Sequence, residues 1–115
     1  MDEDCIFCNI AQEKISSDMV YKGGDIVAFK DLNPQAPVHI LIVPKKHISK
    51  ISDLKKEDSQ LLTDMVLVAN KLAGDNNLTE GGYRLVFNCG KEAGQAVFHI
   101  HLHLLGGRSF SWPPG

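Results

Sequence analysis

The sequence lacks any apolar run near the roughly 20 residues that span a bilayer as a helix. It also lacks a surplus of positive charge: 12 Lys and Arg stand against 14 Asp and Glu, a formal net charge of −2. No basic field is available to hold DNA or RNA, although local phosphate binding by backbone donors and histidines stays open. There is no repeat, low-complexity stretch or linker. The start, Met1-Asp2-Glu3-Asp4, is acidic and polar, without the basic-then-apolar pattern of a secretory leader. Cysteine is scarce, at three residues. Cys5 and Cys8 are close-spaced and Cys89 stands alone, which suits metal ligation in a reducing, intracellular compartment (cytoplasm or nucleus) better than a disulfide framework.

What is present fits one domain, residues 1–115, with 43% hydrophobic residues and room for a single compact core. A short helix is expected over Cys8–Lys14. Val20-Tyr21 and Ile26–Phe29 read as strands joined at Gly23-Gly24-Asp25. Asn33–Pro37 is a loop, because each proline pushes its predecessor out of helical geometry. Val38–Val43 is a nearly continuous apolar run ended by Pro44, a central strand buried on both faces. Leu61, Leu62, Met65, Val66, Ala69, Leu72 and Ala73 recur at three- and four-residue steps, one long amphipathic helix. Glu57 and Asp58 suit its start, Lys71 and Gly74 its end. Tyr83–Asn88 and Val97–Leu105 read as two further strands, the second broken at Gly106-Gly107. The fold class is α+β: a five-stranded antiparallel sheet covered mainly by one long helix.

Three of the five histidines fall in His99-Ile100-His101-Leu102-His103. On a strand, residues two apart share a face, so these three line one side while Ile100, Leu102 and Leu104 point to the core. Steps of roughly 6.5–7 Å let the rings reach different atoms of one small ligand. A solvent-facing strand that happens to carry histidine is the plain reading, and this concentration of a scarce residue weighs against it. Two chemistries remain. One is a catalytic metal site with an open position, for which no carboxylate lies nearby in sequence. The other is covalent catalysis by a neutral imidazole, with neighbouring histidines binding phosphoryl oxygens. Spacing alone does not choose. Cys5-x-x-Cys8 is half of a tetrahedral metal site, His39 reads as a satisfied core histidine, and Cys89 as a small buried residue.

Gly94-Gln95-Ala96-Val97-Phe98-His99-Ile100-His101-Leu102-His103-Leu104-Leu105 resembles the signature of the histidine triad superfamily. Ala28–Pro37, Val43–Ile48 and Gly106-Gly107-Arg108 with the ending Trp112-Pro113-Pro114-Gly115 resemble its nucleotide-binding (Hint) branch, in the same order over essentially the whole chain.

That resemblance implies a purine nucleoside phosphoramidase, which hydrolyses the P–N bond of nucleoside 5′-phosphoramidates through a nucleotidyl-histidine on His101. His103 and Asn88 would hold the phosphoryl group, with His99 completing the catalytic set. Asp31 would accept the ribose hydroxyls, and Phe7, Phe29 and Leu32 would form the purine slot. Gly94, Gln95, Ala96 and Val97 correspond to the phosphate loop, with Ala96 where the branch commonly has serine. Cys5, Cys8, His47 and His99 would hold a structural zinc; no organic cofactor is implied. His39 would lie near the triad and orient it. A homodimer is implied, joining the two sheets across an interface formed by Glu57–Ala73 and Tyr83–Asn88, with Trp112 reaching the partner's site. Two alternatives stand beside this: a dinucleoside polyphosphate hydrolase, and a nucleotide-binding or protein-interaction module with weak catalysis, which Ala96 favours. The Gly-Gly-Arg and Trp-Pro-Pro-Gly segments argue against the first.

Overall fold

A computed structural model describes residues 4–115; Met1–Glu3, part of the acidic start, lie outside the described residues. The chain forms α1 (Ile6–Ala11), β1 (Met19–Lys22), β2 (Ile26–Lys30), β3 (Val38–Pro44), α2 (Ser59–Asp75), β4 (Tyr83–Val86) and β5 (Leu102–Gly106). The five strands make one sheet in the order β1-β2-β3-β5-β4, and every neighbouring pair is antiparallel. Among the described residues no helix is long and apolar enough to cross a membrane.

The apolar run of β3 needs no polar face because both sides of the sheet are covered. Ile26, Ala28, Ile40, Ile42, Leu102 and Leu104 pack beneath Met65, Ala69, Leu72 and Ala73 of α2. The alternate residues Val27, Phe29, Leu41 and Val43 pack on the opposite face against Phe7, Cys8, Ile10 and Ala11 of α1. His39 and His103 share this second face, since Leu41 lies opposite His103 in the β3–β5 register. Gly106 permits the close approach of Leu78, just beyond α2: a Cβ there would meet Leu78 Cδ1 at 2.5 Å.

The helix ends differ from expectation. α1 starts at Ile6 rather than Cys8, because Cys5 caps it by accepting the Cys8 N–H on its sulfur (3.3 Å). α2 runs through Gly74 to Asp75. Asn77, at φ 60°, takes the left-handed turn expected of glycine, and the Leu78 N–H closes the end on the Ala73 carbonyl (2.9 Å).

The larger correction concerns the last two strands. β4 ends at Val86, not Asn88, and β5 begins at Leu102, not Val97. Between them the chain leaves the sheet through positive-φ turns at Gly90 and Gly94 around a short 3-10 turn, Lys91–Ala93. The Ile100 N–H is donated to Ile48 outside the ladder (2.6 Å). Only His103 of the three triad histidines therefore lies in a regular strand, and period-two geometry does not place His99 beside the other two.

Candidate active site

A cleft of about 340 Å³ opens on the α1 face of the sheet. Its apolar end is walled by Ile6, Phe7 and Ile10 of α1, with Ile15 and Phe29; Phe7 and Phe29 meet edge to face with centroids 5.5 Å apart. Asp31 and Leu32 stand at the side, and Leu32 is 96% exposed. The polar end is formed by Asn88, Gly94, Ala96, Val97, His101 and His103. Gly94, at φ 90°, is in a conformation that favours glycine and brings backbone to the cleft wall. A wider depression of about 600 Å³ at the sheet edge is lined by Arg84, Arg108 and Phe110, among others, and has no histidine or cysteine among its lining residues.

The hydrogen bond behind each imidazole fixes which nitrogen faces forward. A carbonyl can only accept, so the ring nitrogen against it carries the proton. His101 Nδ1–H donates to the His99 carbonyl (2.8 Å), which leaves Nε2 as the nitrogen with the free lone pair. Burial pushes the His101 pKa down, against the opposing pull of that hydrogen bond and of Asp31, so the ring is held neutral. Phe7 packs edge to face on it at 5.0 Å.

His39 has the opposite arrangement. The Gln35 N–H donates to its Nδ1 (3.0 Å), so its proton sits on Nε2. That Nε2–H lies 2.9 Å from His103 Nδ1, which must accept. The proton of His103 is therefore on Nε2, where it can be donated to a ligand oxygen. Burial first, then the nearby His101 and His39, push the His103 pKa down to about 4. Burial likewise lowers His39, although Asp31 Oδ2 at 3.4 Å opposes it. The other Asp31 oxygen accepts the Asn33 N–H (2.8 Å), which organises the loop after β2.

Behind the cleft, Cys5, Cys8, His47 and His99 bring four ligand atoms within 4.8 Å of one another. His99 is fully buried and donates Nε2–H to the Pro44 carbonyl (2.7 Å), so its Nδ1 lone pair points at the cluster. That Nδ1 lies 3.3 Å from Cys5 Sγ, 3.4 Å from Cys8 Sγ and 3.2 Å from His47 Nδ1; Cys8 Sγ and His47 Nδ1 are 3.3 Å apart. A tetrahedral ion bonded at about 2.0–2.3 Å separates its ligands by about 3.3–3.8 Å. Sulfur and imidazole donors at these separations fit a closed metal site. Asp31, His39 and His103 also converge, but the His39 nitrogen facing the others carries a proton, so these three make a hydrogen-bond relay and not a metal site.

Of the residues predicted from sequence, Phe7, Phe29, Asp31, Leu32, Asn88, Gly94, Ala96, Val97, His101 and His103 share the cleft. His99 does not line it; its ring faces Cys5, Cys8 and His47. Gln95 does not either. Its buried amide accepts the Gly90 N–H (2.8 Å) and donates to the Ser49 and Val97 carbonyls (2.8 and 3.1 Å), bracing the loop from within. Trp112 is 83% exposed and is not among the residues that line the cleft. Cys89 is half-buried rather than buried, and hydrogen bonds with Ser52 hold its thiol below the ordinary range. Sequence reasoning missed Ile6, Ile10, Ile15, Ser16, Ser17, Lys30 and Leu41. The i, i+4 spacing of Ile6 and Ile10 was a usable signal; nothing in the sequence marked Ser17.

A family model described as "Scavenger mRNA decapping enzyme C-term binding" matches residues 4–111. An uncharacterized HIT-like protein of Synechocystis sp. is 50% identical over 115 residues, 100% of each chain. The crystal structure of a HIT family hydrolase from Legionella pneumophila superposes with a TM-score of 0.96 at 54% identity, covering 97% of this chain and 100% of that one. A histidine triad nucleotide-binding protein from Candida albicans superposes with a TM-score of 0.82 at 31% identity, covering 97% and 85%. The chain belongs to the histidine triad superfamily.

Proposed function

We propose that this histidine triad protein is a purine nucleoside phosphoramidase. The observation that carries the reading is the pairing at the polar end of the cleft: a neutral His101 with its Nε2 lone pair free, beside a His103 whose Nε2 is a donor, ring centroids 5.0 Å apart. A nucleophile and an oxygen-binding donor side by side suit attack on a phosphoryl centre. The apolar slot between Phe7, Phe29 and Leu32 suits a purine, and Asp31 suits the ribose hydroxyls. The Candida albicans neighbour, named as nucleotide-binding, adds support.

In the first step His101 Nε2 bonds to the α-phosphorus as the P–N bond to the leaving amine breaks. The amine departs with a proton from water at the cleft mouth, because Ala96 offers no hydroxyl there. The developing imidazolium charge is stabilised by the His99 carbonyl on Nδ1–H, and His103 Nε2–H and Asn88 hold the phosphoryl oxygens. The hydroxide left by that water then attacks phosphorus, the P–Nε2 bond breaks, and nucleoside 5′-monophosphate leaves with His101 restored as the neutral Nδ1–H imidazole. In this reading Cys5, Cys8, His47 and His99 hold a structural zinc, which closes the site behind His101 and takes no part in the chemistry. The exposed Trp112 and the edge strand β4 suit a homodimer in which the tail reaches the partner's cleft.

Incubation with an AMP–amine conjugate and with a diadenosine polyphosphate tests the reading: cleavage of the first is expected. Preferential cleavage of the second would favour a polyphosphate hydrolase, and cleavage of neither a binding module. His101→Ala should lower turnover about 10³-fold or more while nucleotide binding persists; full activity in that variant rules out the covalent route.

A further inference from the structure

We propose that Ser17 reads the polar edge of the base, an assignment that rests on the nucleotide reading of the cleft. Ser17 lies between α1 and β1 and lines the apolar end of the cleft, where the other wall residues include Ile6, Phe7, Ile10, Ile15 and Phe29. Its hydroxyl oxygen is buried and is the one buried side-chain N or O atom, among the described residues, without a hydrogen-bond partner. Buried polar groups are almost always paired, so an orphan in a ligand cleft points to a partner that arrives with the ligand.

The surrounding backbone is fixed while the hydroxyl is not. The Ser17 carbonyl accepts the Met19 N–H (3.0 Å), and the Asp18 carbonyl accepts the Lys30 N–H (3.0 Å), which ties the segment to β2. A turn about χ1 breaks no hydrogen bond of the hydroxyl and is the motion that would bring its oxygen to the slot. A hydroxyl both donates and accepts, so it can meet a ring nitrogen or an exocyclic group of a purine. The aromatic and aliphatic walls hold any flat base by its faces; Ser17 adds a contact to the edge. Free protein bears the unpaired hydroxyl as a cost, and bound nucleotide relieves it.

Ser17→Ala separates this role from packing. Dissociation constants for AMP and for ribose 5-phosphate, the second by competition against AMP where direct titration is too weak, are compared with the melting temperature of ligand-free protein. Ser17→Ala should weaken AMP about 3- to 10-fold, leave ribose 5-phosphate unchanged, and leave the ligand-free melting temperature equal or higher. Unchanged AMP binding, equal loss for both ligands, or a lowered melting temperature would overturn the assignment. Wild-type protein that binds no AMP would instead overturn the nucleotide reading, and Ser17 with it.

Discussion

Two groups of histidines lie on the same side of the sheet and behave differently. In the cluster of Cys5, Cys8, His47 and His99, four of the ligand-atom separations are 3.2–3.4 Å and all lie within 4.8 Å. In the relay through His39 and His103 the facing nitrogens are 2.9 Å apart. The difference comes from what stands behind each ring. A carbonyl behind His99 and another behind His101 hold the proton backward and leave a lone pair forward, toward Cys5, Cys8 and His47 in one case and, in the proposed function, toward phosphorus in the other. A backbone N–H behind His39 pushes the proton forward, and the relay repeats that at His103. One residue type thus presents a lone pair in two places and an N–H in a third, and the outer partner selects which. His99 links the groups: its ring belongs to the cluster and its carbonyl orients His101.

The largest expected effect is on the cluster. Purified protein should carry near one equivalent of zinc, and Cys8→Ser or strong chelation should remove it and lower the melting temperature by about 10 °C or more. His39→Ala and His103→Ala should keep the metal. Equal metal loss in all of these variants would erase the distinction between the two groups.

A smaller effect isolates the relay. His39→Ala removes the donor that fixes His103, and kcat should fall about 10- to 100-fold with KM little changed. His39→Gln can present an amide N–H toward His103 and an oxygen toward Gln35, so it should recover part of that loss. Equal kcat in the two variants would show that His39 only fills space.

The sheet was legible because the apolar runs of β2 and β3 follow from two covered faces, a pattern written in consecutive residues. The triad was legible as composition and resemblance, but its geometry was not. His99 and His101 sit outside β5 because the Ile100 N–H goes to Ile48 and the Gln95 amide braces the loop from inside, contacts between residues about 50 positions apart. Gln95 looked like a ligand contact for the same reason: sequence shows an amide next to a glycine, not which way it faces. Neither the positive-φ role of Asn77 nor the orphan hydroxyl of Ser17 leaves a mark in pattern or spacing.

The smallest expected effect is the relay's response to acid, and its sign follows from where His103 titrates. Its folded pKa is pushed down to about 4, against about 6.5 in an unfolded chain. Between those values the unfolded state binds the extra proton and the folded state does not, so stability falls as pH drops through that window. Above about 6.5 both states are neutral and His103 contributes no pH dependence. Within the folded protein, protonation of Nδ1 would put two N–H groups face to face across the 2.9 Å separation from His39. The His39–His103 hydrogen bond should therefore persist through pH 6 and break only near pH 4. Nitrogen-15 chemical shifts of the His103 ring, followed by NMR from pH 7 to 4, check this directly. A neutral His103 with its proton on Nε2 at pH 5.5 sustains the contrast with the metal-ligand histidines, whereas titration near 6.5 would mean that burial does not hold the ring neutral.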